Sequence, residues 1–145
     1  MIFSKDNAER IIIAIHGWRS TWNYDFNGQY QFLADNNCSI LFIESRAHGE
    51  SEGRYMYYGK KERLDLLLWI KFVRENISKN LPIYIYGMSV GATTAIMASA
   101  DITDNNVLGI IADSASTSAR DAGKITIKNI HLSSLLFLFS GKTRL

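Results

Sequence analysis

Residues 87–91 read Gly-Met-Ser-Val-Gly, a G-x-S-x-G spacing that stands directly after an apolar run and directly before a stretch rich in small residues. That arrangement suits a strained strand-to-helix turn that lifts the hydroxyl of Ser89 clear of its surroundings, where it could attack an acyl carbon. The turn brings backbone close to backbone, so Gly87 and Gly91 are the residue type required two positions either side of the serine. Ala92, Thr93 and Ala95 extend the same demand for small side chains. A helix opening there would set its N-terminal partial charge beside a developing oxyanion. The alternative is an ordinary tight turn in which Ser89 merely caps a helix.

A second constellation, His16-Gly17-Trp18, follows another apolar run. In an acyl-transfer site of this kind it is the place for a second oxyanion donor, so the backbone N–H groups of Trp18 and Val90 are the candidate pair. His16 and Gly17 then support the loop, with His16 holding it by a side-chain hydrogen bond rather than acting as base.

These residues need a scaffold, and the chain supplies one. Residues 10–15 (Arg-Ile-Ile-Ile-Ala-Ile), 39–43, 83–86 and 107–112 are short runs without polar alternation, as strands of a parallel sheet buried on both faces must be. Between them, residues 24–34, 60–77 and 89–100 show helical spacing, and residues 116–139 are mostly helical by pattern. Pro82 ends the second helical stretch. The alternation predicts a doubly wound, mostly parallel sheet of about four strands with helices on both faces and right-handed crossovers. Two unpaired sheet edges would remain, a possible route to dimerisation.

Composition narrows the classes. The 145 residues suit one domain, and 47% hydrophobic with 21% charged residues is a globular balance. A formal net charge of +2 offers no field for nucleic acid or an anionic membrane. The lone Cys38 cannot form an internal disulfide and reads as a buried thiol in a reducing, cytoplasmic setting. Residues 1–10 lack a signal-peptide pattern, and the apolar run 135–139 is too short to span a bilayer. Nothing calls for a cofactor or metal. A nucleotide-binding domain is disfavoured, because the turn after the first strand is H-G-W-R-S and not G-x-G-x-x-G.

Taken together, I-H-G-W, E-S-R-A-H-G-E-S-E-G, Y-G-K-K-E-R-L-D-L-L-L-W-I, Y-I-Y-G-M-S-V-G-A and G-I-I-A-D-S-A resemble the α/β-hydrolase superfamily. The closer likeness is to its bacterial prolyl-oligopeptidase-like and cinnamoyl-esterase-like branch. The resemblance implies a serine hydrolase acting on a carboxylic ester, peptide or related acyl substrate, with residues 1–145 forming the N-terminal and central part of the fold. It matches Ser89 to the nucleophile and Trp18 and Val90 to the oxyanion donors. Arg46, His48, Gly49 and Ser51 match a structural loop near the site, and Glu44 stands where the family usually has Asp. The family's acid and histidine follow later strands, so both are expected beyond Leu145; Asp113 with His131 is a weaker pairing in the same chain order. Without them the chain would be a catalytically deficient module that binds a ligand or partner without turnover. Tyr55, Tyr57, Tyr58, Trp22 and Trp69 are candidates to line an aromatic pocket.

Overall fold

The structure, a computed structural model, describes residues 1–116 and Arg120. Its elements in chain order are β1 (Ile2–Phe3), β2 (Arg10–Ile15), α1 (Trp22–Asp35), β3 (Cys38–Ile43), α2 (Glu62–Asn76), β4 (Ile83–Met88), α3 (Val90–Ala98) and β5 (Val107–Asp113). Of the expected helix over 116–139, all but Ser116 and Arg120, and with it His131, lies outside the described residues.

The strands form one sheet in the order β1-β3-β2-β4-β5, and all pairings except β1 with β3 are parallel. This is the doubly wound sheet that the apolar runs require, with one correction. An antiparallel strand, β1, pairs Ile2 with Leu41 and Phe3 with Ile40, making five strands instead of about four. Two residues are too short to show a pattern. What holds them is tertiary: the ladder, and the Met1 ammonium donating to the Phe42 carbonyl at 2.9 Å. Of the two open edges expected, the one at β3 therefore carries β1, while β5 has no outer neighbour among the described strands.

Successive residues of a strand face opposite sides, which splits the core in two. Ile12, Ala14, Ile40 and Phe42 pack with Phe26 of α1. Ile11, Ile13, Leu41, Ile83 and Ile85 pack with Leu66, Ile70 and Val73 of α2 and with Ala95 and Ala98 of α3. The central strand β2 is fully buried from Ile11 to Ile15, so its unbroken β-branched run has a hydrophobic partner on both sides.

The register sets the position of the site. Ile15 lies opposite Ile43 on one side and Gly87 on the other, so the loops after β2 and β3 and the turn after β4 leave the sheet at one edge. The chain passes from β2 to β3 and then crosses back to β4, so the strand order reverses beside β2. Ligand sites in open α/β sheets form at such a reversal, beyond the carboxyl ends of the strands.

Candidate active site

Ser89 occupies the bend between β4 and α3 with φ 52° and ψ −112°. A non-glycine residue in that region costs about 1–3 kcal/mol and persists only where its surroundings over-determine it. The surroundings here are close backbone contacts. A Cβ built on Gly87 would overlap Gly91 and Ala92, and one on Gly91 would overlap the carbonyl of Ile15. The Ser89 N–H donates to the Asp113 carbonyl at 2.8 Å, fastening the bend to β5. Its side chain makes no capping hydrogen bond, and an N-cap normally has extended backbone geometry, so the capping alternative does not describe this serine. Ser89 is exposed to solvent.

The opposite wall is the loop after β2. A Cβ on Gly17 would stand 3.2 Å from the Ser89 Cβ and 3.4 Å from an Asp25 carboxylate oxygen, so this glycine lets the loop approach Ser89. Neither the Trp18 nor the Val90 N–H has an acceptor among the described residues. Among the described residues both proposed oxyanion donors are thus unspent, and they belong to the two segments that meet at Ser89. A cleft of about 570 Å³ opens there, lined by Trp18, Arg19, Tyr24, Asp25, Met88 and Ser89 among others. The Arg19 guanidinium lies 4.7 Å from the centre of a Trp18 ring.

His16 is buried and braces the loops. The Ser45 N–H points to its Nε2 at 3.2 Å, so Nε2 is the acceptor and the proton sits on Nδ1, 2.7 Å from the Gly17 carbonyl. Burial holds its pKa below the ordinary value, helped by the neighbouring His48 and opposed by the Gly17 bond and by the charges of Asp25 and Glu44. His48 is bonded likewise: its Nε2 accepts from the Arg19 N–H at 2.9 Å, and its Nδ1 lies 3.0 Å from the Arg46 carbonyl. Both nitrogens of each ring face backbone groups, so neither histidine is placed as a base for Ser89. Asp113 ends β5, where its carboxylate accepts from the Ser114 hydroxyl at 2.9 Å.

The loop after β3 is ordered by its own polar groups. Arg46 forks onto Asp65 at 2.8 and 2.6 Å, an ion pair that raises the guanidinium pKa further. Ser51 donates to the Glu44 carbonyl at 3.0 Å, and the Glu44 carboxylate accepts from the Glu50 N–H at 3.1 Å while filling the space beside Gly49.

Of the aromatic candidates, Tyr55, Tyr57 and Trp69 line a separate cleft of about 690 Å³ that does not include Ser89. Trp22 packs on Phe42 in the core. The aromatic residues at the serine cleft are Trp18 and Tyr24, and Tyr24 opens the stretch 24–34 whose only signal is its helical spacing. Asp25 gave no signal at all, since an acid in the first turn of a helix is ordinarily explained by the helix dipole.

A parallel sheet with this strand reversal, a strained serine at it and glycines packed beneath define the α/β-hydrolase fold. The family model described as serine aminopeptidase, S33, matches residues 6–136, and the chain belongs to that family. Among solved structures, the esterase Pf2001 of Pyrococcus furiosus is 30% identical with a TM-score of 0.66, covering 74% of this chain and 42% of its own. A lipase-esterase related protein of Clostridium acetobutylicum is 19% identical, with a TM-score of 0.62 and coverages of 76% and 43%. A lidless a/b serine hydrolase of Xanthomonas campestris is 21% identical, with a TM-score of 0.60 and coverages of 69% and 49%. The chain therefore spans about half or less of the length of these relatives. A search of curated proteins finds no match. Among the described residues no helix is long and apolar enough to cross a membrane.

Proposed function

We propose that this chain carries the nucleophile and oxyanion hole of a serine hydrolase that cleaves a carboxylic ester, peptide or related acyl substrate. The observation that carries this reading is the exposed, left-handed Ser89 held between two glycines at the strand reversal. In the reaction the Ser89 hydroxyl adds to the acyl carbon and gives its proton to a general base. The carbonyl oxygen, now negative, accepts from the N–H groups of Trp18 and Val90. Collapse expels the alcohol or amine with a proton from that base, leaving an acyl-Ser89 ester that water then hydrolyses. A single oxyanion donor of this kind contributes about 10²–10³ in rate. An ester is the favoured substrate, because the 30%-identical relative is named an esterase.

The base and its orienting acid are assigned to segments after Ser89, following the family's chain order. Kinship with the prolyl-oligopeptidase-like and cinnamoyl-esterase-like branch rests on the five sequence blocks taken together, and a cytoplasmic location on the single buried thiol. The partners of this reading are a small-molecule or peptide acyl substrate and, through the β5 edge, a second copy, with no role for nucleic acid or membrane.

A second reading, a module that binds without turnover, is favoured by one observation: His16 and His48 both spend their ring nitrogens on backbone groups. A fluorophosphonate probe separates the two. Peptide mass spectrometry should find the adduct on Ser89 and none on Ser89→Ala. A folded protein that stays unlabelled, and whose ligand binding is indifferent to Ser89→Ala, would favour the second reading.

A further inference from the structure

The N–H groups that flank Trp18 are tied down on both sides. Gly17 donates to Asp25 Oδ2 at 2.7 Å, and Arg19 donates to His48 Nε2 at 2.9 Å. The other Asp25 oxygen accepts from the Ser20 hydroxyl at 2.6 Å, and the Ser20 N–H returns to the Gly17 carbonyl at 3.4 Å. Between these fixed points the Trp18 N–H has no acceptor among the described residues.

We propose that Asp25 and His48 are positioning residues that aim the Trp18 N–H at the oxyanion, an inference that rests on the reading of Ser89 as nucleophile. The Trp18 N–H shares its peptide plane with the Gly17 carbonyl, which faces His16 Nδ1 at 2.7 Å and the Ser20 N–H, so with both neighbouring N–H groups also bonded the donor is held in place before substrate arrives. Arg19 has a φ of 53°, a left-handed geometry that a non-glycine residue keeps only when its surroundings impose it. The bond to His48 is that imposition.

Each anchor is itself anchored. Asp25 sits in the first turn of α1, behind the N-cap Thr21, where the helix end favours its charge. His48 is held by the Arg46 carbonyl and by the His16 ring, whose centroid is 5.0 Å away. Three segments thus converge on the peptides around Trp18: the loops after β2 and β3 and the first turn of α1. Trp18 and Ser89 line one cleft, and a Cβ added to Gly17 would stand 3.2 Å from the Ser89 Cβ, so small movements of the loop alter the site.

The test measures phosphonylation of Ser89 by a fluorophosphonate over a range of probe concentrations, giving a limiting rate and a half-saturating concentration. Asp25→Ala and His48→Ala should lower the limiting rate by about 10–100-fold, part of what a lost oxyanion donor costs. The half-saturating concentration should stay within about twofold, since uniform binding is untouched. Asp25→Asn should restore the rate, because its amide oxygen still accepts from Gly17 and its NH₂ can donate to Ser20 Oγ. His48→Gln should do the same for Arg19. Alanine variants that stay folded and react like wild type would overturn the inference, as would Asn and Gln variants as slow as alanine.

Amide hydrogen exchange by NMR reads the clamp without needing reactivity. Gly17 and Arg19 should be protected, and Trp18 should exchange fast. Asp25→Ala should release Gly17, and His48→Ala should release Arg19. Unprotected Gly17 and Arg19 in the wild type overturn the clamp. Protected amides in a protein that the probe never labels leave the clamp standing and defeat the hydrolase reading.

Discussion

Gly91 lies so close to the carbonyl of Ile15 that a methyl group on its Cα would overlap the oxygen. The start of α3 therefore rests directly on the end of the central strand, and this contact fixes where Ser89 stands above the sheet.

Gly91→Ala should separate those backbones or fail to fold. Overpacking of this kind costs about 1–3 kcal/mol, and here the obstacle is main chain, which yields less readily than a side chain. Gly28 is the control. It is exposed within α1 with nothing near its missing Cβ, so Gly28→Ala should stabilise by about 0.5–1 kcal/mol. Urea melts of the two variants should shift in opposite directions.

Stability should depend on pH through His16. Burial lowers its folded pKa below the ordinary 6.5, so between the two values the unfolded chain binds a proton that the folded chain refuses. The contribution is full above 6.5 and is lost as pH falls toward the folded value. Urea midpoints measured at neutral pH and about one unit below 6.5 should show the decline, and His16→Gln should flatten it at the expense of the Ser45 contact.

Glu62 is buried at 3% exposure, and its carboxylate accepts from the N–H groups of Tyr57 and Gly59 at 2.8 and 2.9 Å. A glutamine amide has one acceptor oxygen, so Glu62→Gln would set an NH₂ against one of those donors. The expected cost is about 1–3 kcal/mol in a denaturant melt. Protease cleavage within residues 52–60 should also quicken, because the loop before α2 hangs on this side chain.

Arg74 joins three segments: it bonds Asp104 at 2.5 Å and the carbonyls of Leu81 and Ser78 at 2.6 and 3.3 Å. Arg74→Met removes the guanidinium from two carbonyls and from a half-buried carboxylate that keeps only the Asn106 N–H, an expected loss of about 1–3 kcal/mol. Arg74 holds the Asp104 carboxyl below its usual 3.8, so this stability is present above 3.8 and lost as pH falls through the folded value. The acid limb of the stability curve should shrink in Arg74→Met.

The apolar runs located four of the five strands to within two residues at each end, because a strand buried on both faces has no choice but continuous hydrophobicity. Helix ends were less legible. Residues 60–77 carry the helical pattern, yet α2 spans Glu62–Asn76, since residues 59–61 form the turn around Glu62. β1 left no trace, because two residues carry no period and their pairing belongs to Ile40 and Leu41.

Local pattern alone determined the turn at Ser89: a strand, a serine between glycines and a helix of small residues can meet only where backbones touch. The chain's own order likewise settled a sheet wound on both faces. Tertiary structure decided which distant groups share the site. Asp25, His48 and Trp18 are separated in sequence and obey no spacing rule, and they meet because the register of β2 with β3 and β4 brings their loops to one edge. Hydrogen bonds between loops depend on where strands end in space, a property that no single segment encodes.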